Sequence, residues 1–154
     1  MSNTISVIQN VKDTFTKPYP HVCVDDALPD SIYNELEATF PDELVCSTQP
    51  HDGGITYRYK ANPALINESL PGIWQEFFGY HTSSEYFRGC ISLFEPSVEK
   101  YYPHLLEDLY NKPVSVRDID NSGHFVTDCQ FVVHEPVPET STSRTPHVDN
   151  PVEI

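Results

Sequence analysis

The chain has 154 residues, enough for one domain with a real core. Nine basic against 23 acidic residues give a net charge of −14, which repels a nucleic-acid backbone and argues against DNA or RNA as a direct partner. Apolar residues make up 38% and form no run long enough to span a bilayer, so a membrane span is excluded, while 12% aromatics supply bulk for a core.

The first ten residues are polar and lack the charged-then-apolar layout of a secretory signal. Cys23, Cys46, Cys90 and Cys129 are widely spaced, with no Cys-x-x-Cys pair, which argues against a zinc ribbon or a redox dithiol. Reduced thiols in a cytoplasmic protein are the expectation, with Cys23 and Cys129 inside apolar runs acting as small hydrophobes.

In chain order, residues 1–17 read as a short leader, with a weak strand or helix around Ile5 to Ile8. Residues 19–24 read as a strand, with β-branched Val22 and Val24 and with Pro18 and Pro20 confining its start to an edge. Residues 25–29 are a turn. A helix follows, capped by Asp30, with Ile32, Leu36 and Phe40 as its apolar stripe and Pro41 as its stop. Residues 42–54 are rich in turn formers and read as a loop. Residues 55–59 alternate, which predicts a strand with Tyr57 and Tyr59 on one face and Arg58 on the other.

Helical texture then takes over. Leu70, Ile73, Trp74, Phe77 and Phe78 give a stripe within 65–80, with Pro71 near a first turn and Gly79 as the stop. Ser83 or Ser84 caps a helix over 85–94, Pro96 restarts the chain, and 98–110 is helical with an interruption at Pro103. From Lys112-Pro113 onward the chain turns β-rich. Residues 114–116 form a short strand, 121–123 a turn, and 124–134 the best strand of the chain. Its one face, Phe125, Thr127, Cys129, Phe131 and Val133, is apolar and belongs on a core. Its other face, Val126, Asp128, Gln130, Val132 and His134, interleaves polar groups, as the inside of a cup holding something polar would. A Pro/Ser/Thr-rich connection over 135–144 leads to the next strand, which begins at 147.

That strand carries His147-Val148-Asp149. Residues two apart in an extended chain share a face, so the imidazole and the carboxylate can reach one cation while Val148 packs the other way. This is two-thirds of the two-His-one-carboxylate set that holds non-haem Fe(II) and leaves its other positions open. A surface turn in an acidic chain would give the same tripeptide. His124 and His134 are ten apart and share a face of the long strand; each reads as a hydrogen-bonded strand-end histidine or as a substitute ligand. Arg144 reads as a brace for the loop against Asp128, or as a partner for an anion.

Two stretches, residues 18–29 (Pro-Tyr-Pro-His-Val-Cys-Val-Asp-Asp-Ala-Leu-Pro) and residues 128–151 with the strand, the loop and the His-x-Asp, resemble Fe(II)/2-oxoglutarate-dependent dioxygenases, closest to the prolyl-4-hydroxylase-like branch. The resemblance implies an α+β fold in which N-terminal helices pack on an incomplete double-stranded β-helix, or jelly roll. Residues 1–112 would be helix-rich support with two strands, and 113–154 the first strands of the jelly roll, the whole being a single truncated domain. It implies an oxidoreductase that couples decarboxylation of 2-oxoglutarate to hydroxylation of a small molecule or a peptidyl side chain. His147 and Asp149 would be metal ligands, with Gln130 and Asp128 in the wall of the cosubstrate pocket. The family's distal histidine and its 2-oxoglutarate-pairing basic residue would fall beyond Ile154, so the chain is expected to be an N-terminal part, inactive alone. A half-built sheet has open edges, and a homo-oligomer formed through them is expected. The rival readings are a non-catalytic binding or assembly domain on the same scaffold, and an unrelated α+β protein in which the His-x-Asp is coincidence.

Overall fold

A computed structural model describes residues 5–50, 56–66, 70–120 and 122–136. The architecture is α+β, with six helices and four strands among those residues.

The first helix, α1 (Asp30–Ala38), forms where the stripe of three apolar residues predicts it: Leu36 is buried, and Ile32 and Phe40 pack beside it. Asp30 does not cap it. Pro29 holds the cap position and Asp30 is the first helical residue, where its charge favours the positive end of the helix dipole. A short helix, α2 (Asp42–Cys46), replaces the expected loop. Pro41 precedes it, Asp42 and Glu43 occupy its first turn, and Val45 is fully buried.

The next elements are β1 (Thr56–Lys60), α3 (Ala61–Ile66) and α4 (Gly72–His81), with Pro71 at the α4 cap. Gly79 does not end α4, which runs on to His81. Ser83 then caps α5 (Ser84–Tyr101), its Oγ accepting from the Tyr86 N–H at 3.1 Å. The predicted break at Pro96 is absent: α5, 18 residues long, runs through it to Tyr101. A proline removes one helical hydrogen bond, and neighbouring contacts offset the loss. Here the Tyr110 hydroxyl, from α6 (Leu106–Asn111), hydrogen-bonds Glu95 and Ser92 beside the proline.

The β-rich part departs from expectation in two ways. The strand predicted at 19–24 is only an isolated bridge between Phe15 and His21; Pro18 just before it and Pro20 within it remove ladder donors, and Cys23 is exposed. The strand predicted over 124–134 is broken at Asp128-Cys129 into β3 (Phe125–Thr127) and β4 (Gln130–His134). β3 pairs in parallel with β2 (Val114–Val116), and β4 pairs antiparallel with β1. A parallel pair usually needs a connection of about a dozen residues or more. Residues 117–124 manage in fewer because Asp118 takes a left-handed conformation (φ 62°) and Gly123 lies where a Cβ would be 2.6 Å from the Ser115 backbone nitrogen.

The predicted alternation survives the break. Phe131 is 2% exposed, and Cys129 and Val133 pack against the same core, while Val126 is exposed. The core joins Leu36, Val45, Ala64, Leu70, Trp74 and Phe78 from the helical part to Phe131 from β4. The Phe131 ring lies 4.6 Å from Trp74 and 4.7 Å from Phe78, both edge-on. Trp74 is oriented in turn by its indole N–H, which donates to the Thr39 carbonyl at 3.0 Å. The helical part and β4 therefore share one core.

The leader reading also changes. Ile5 is 1% exposed and Ser6 is buried. Ile8 packs over Gly89 of α5, its Cδ1 3.0 Å from where a Cβ would stand. Among the described residues no helix is long and apolar enough to cross a membrane.

Candidate functional site

The β1–β4 pair has two unlike faces because directly opposed residues of an antiparallel pair point the same way. Tyr57 opposite Val133 and Tyr59 opposite Phe131 face the helices. The other face bears Thr56 opposite His134, Arg58 opposite Val132, and Lys60 opposite Gln130. Along this second face Gln130 and Val132 are half-buried, Arg58 and Lys60 exposed, and Thr56 fully buried. The Thr56 hydroxyl lies 3.1 Å from His134 Nδ1, and Lys60 Nζ lies 3.3 Å from the Asp118 carboxylate. A polar amide, a hydroxyl, an imidazole and two cations thus stand on the side of the strands turned away from the core.

Gln130 is on that face, as its position in the alternation predicts. Asp128 is in the break before β4, and its carboxylate lies 3.5 Å from Arg117 Nε. His124 lies 3.9 Å from Asp108, and His134 sits on the other sheet against Thr56, so the structure does not bring these two histidines together. His147, Asp149 and Arg144 lie outside the described residues. Among the described residues no three His, Cys, Asp or Glu side chains converge to hold a metal ion.

One arrangement has no motif to announce it. His81, at the end of α4, lies in a cage of Phe77, Tyr80 and Tyr86, with ring centroids at 4.0, 5.3 and 4.5 Å. Its Nδ1 is 2.8 Å from the Phe77 carbonyl, and the Val7 N–H donates to Nε2 at 3.4 Å. These contacts select the neutral Nδ1–H tautomer. Burial lowers the pKa of His81 from its ordinary value of 6.5, and the bond to Phe77 opposes that shift. A protonated ring would lose the acceptor for Val7. The folded pKa lies below the unfolded one, so the unfolded chain binds more protons between the two. The stabilising contribution is complete above the ordinary value and is lost as pH falls through it toward the lower folded value. The urea midpoint is expected to drop between about pH 7.5 and 5.5, and by less in His81→Gln. An equal drop in both proteins would remove His81 as the cause.

Two of the thiols, Cys90 and Cys129, are shielded. Burial pushes Cys129 up to about 11 and also raises Cys90, with the Tyr86 hydroxyl beside it likewise raised by burial. Neither of these half-buried cysteines is poised as a thiolate nucleophile or a soft metal ligand at neutral pH.

Comparison of the chain with protein-family models, with curated proteins and with solved structures finds no match.

Proposed function

We propose that this chain carries the first part of an Fe(II)- and 2-oxoglutarate-dependent dioxygenase, a hydroxylase, on helices that brace the opening strands of a jelly roll. The observation that supports it best is the two-faced β4. Its Phe131 side is sealed against the helical core, and its Gln130–His134 side is polar. A cavity for an anionic cosubstrate needs such a wall, with a buried structural side behind it and convergent polar groups in front. The sequence then leads from this strand to His147-Val148-Asp149.

The donor set suits the metal: a neutral imidazole and a carboxylate fit Fe(II), and a face of few protein ligands leaves positions for a chelating 2-oxo acid and for dioxygen. Bound iron would supply dioxygen activation for hydroxylation. In this proposal His147 and Asp149 hold the metal, Gln130 contributes a neutral amide to the cosubstrate wall, and Asp128, through Arg117, fixes the bend between β3 and β4. The substrate is a small molecule or a peptidyl side chain. The four cysteines are unpaired, which fits the reducing cytoplasm.

The test is anaerobic equilibrium dialysis with Fe(II), or dialysis with Mn(II) in its place, against the unmodified chain and a His147→Ala/Asp149→Ala variant. The variant is expected to lose at least about tenfold in affinity, as removal of metal-site groups does. Equal binding by both would remove the metal and leave the non-catalytic assembly domain as the reading of this scaffold.

A further inference from the structure

Residues 5–9, Ile-Ser-Val-Ile-Gln, lie in no helix or strand. Two backbone bonds of this segment run from the Gln9 N–H to the Ser6 carbonyl at 3.4 Å and from the Val11 N–H to the Ile8 carbonyl at 3.3 Å, both long. Ile5 and Ser6 are nevertheless buried, and Ile8 fills the space over Gly89 of α5. The segment is thus a strap held against the helices by its side chains. It also meets α4 at a group that can change its charge, since the Val7 N–H donates to His81 Nε2 at 3.4 Å. Segments with little regular backbone bonding open on their own, at a lower free energy than global unfolding.

We propose that protonation of His81 releases the strap 5–9 from α4 and α5 while the rest of the chain stays folded, so that acidification uncovers His81 and the helix surface around it. Nδ1–H already donates to the Phe77 carbonyl at 2.8 Å, so the added proton goes to Nε2, the atom that accepts from Val7. Two N–H donors then point at each other. The ring is faced by Phe77 and Tyr80 from α4 and by Tyr86 from α5, with Cys90 hydrogen-bonded to Tyr86; the strap carries no ionisable side chain. None of these groups is a carboxylate that would offset the new charge. Aromatic rings accommodate a cation, so the charged ring stays among them and the strap, which offers it only a donor, is what leaves. The body of the fold is tied separately. The carbonyl of Thr82, the residue after His81, accepts from the Thr127 hydroxyl of β3 at 2.6 Å, and no atom of that bond ionises. Burial lowers the pKa of His81 in the closed form from its ordinary 6.5, so the open form binds more protons as pH falls through that value. The ratio of open to closed strap therefore rises on acidification, by at most about tenfold between about pH 7.5 and 5.5.

Native-state hydrogen exchange in low urea tests this, with rates corrected for the intrinsic effect of pH. The Val7 amide is expected to exchange through an opening almost insensitive to urea, because little surface is exposed, while the core amides of α4 keep the steep urea dependence of global unfolding. The Val7 opening ratio is expected to rise several-fold between the two pH values in the unmodified chain. It is expected to stay the same at both in His81→Gln and in His81→Phe, which cannot take the proton. A Val7 urea slope equal to that of the α4 amides would overturn the inference, since the strap would then leave only with the whole fold. An opening ratio that does not change with pH, or that rises equally in the variants, would overturn it too. The urea slope and its pH dependence are read on the unmodified chain, so the test stands even if a variant fails to fold.

Discussion

Phe131→Ala is expected to lower the free energy of unfolding by about 3–5 kcal/mol, the range for truncating a buried aromatic residue. Phe131 is the point at which β4 enters the helical core. Its ring is 2% exposed and stands edge-on to Trp74, Phe78 and Phe40, the last at 5.4 Å. The rings that would have to close the cavity are themselves fixed: Trp74 through its bonds to Thr39, and Phe78 within α4. Collapse is therefore poor and the cost falls at the high end. A urea titration of both proteins measures it. Val132→Ala, one residue on and half-buried on the other face, is expected to cost far less. If the two substitutions cost the same, the assignment of faces to β4 is wrong, and Gln130 loses its proposed place in a cosubstrate wall.

Ile5→Ala is expected to cost about 2–5 kcal/mol, as for any fully buried aliphatic side chain. A leader contributes nothing to stability, so this substitution separates the two readings of the N-terminal segment. The side chain is 1% exposed, Ser6 beside it is buried, the Val7 N–H reaches the His81 ring, and Ile8 fills the space left by Gly89. The segment thus covers the aromatic surface where α4 meets α5. A change below about 0.5 kcal/mol would return it to the status of an appendage.

Much of the fold is legible in residue spacing, because spacing reports which side of an element meets the core. Ile32, Leu36 and Phe40, the Tyr57/Tyr59 alternation and the inward parity of 129–133 all lie on the faces they predict. Ser83 caps α5 because a serine hydroxyl satisfies an orphan helical N–H wherever tertiary structure leads the chain in. The errors fall where a local rule meets a tertiary contact. Pro96 and Gly79 are helix breakers by propensity, yet packing carries both helices through. The strand at 125–134 is one run by alternation but two by pairing, because it changes partner at Asp128. Ile5 belongs to a short apolar group with Val7 and Ile8, too brief for its spacing to mark it as core.

The candidate site is less legible. Alternation alone places Gln130 on the second face. The role of Asp128 depends on Arg117, eleven positions earlier, which no periodicity connects to it. His81 carries one local signal, an aromatic residue four positions before it on the helix, and that pattern is common in ordinary cores. The His-x-Asp is read from the sequence alone, since it lies outside the described residues.

We propose that His147 and Asp149 hold a metal ion. Paramagnetic broadening by substoichiometric Mn(II) in the NMR spectrum tests it most directly, because it detects weak binding and reports position. Broadening is expected to centre on residues 147–149 and to reach the side-chain amide of Gln130, and to be lost in the His147→Ala/Asp149→Ala variant. Broadening that persists in that variant, or that centres on the cleft lined by Asp13 and Asp25, would contradict it.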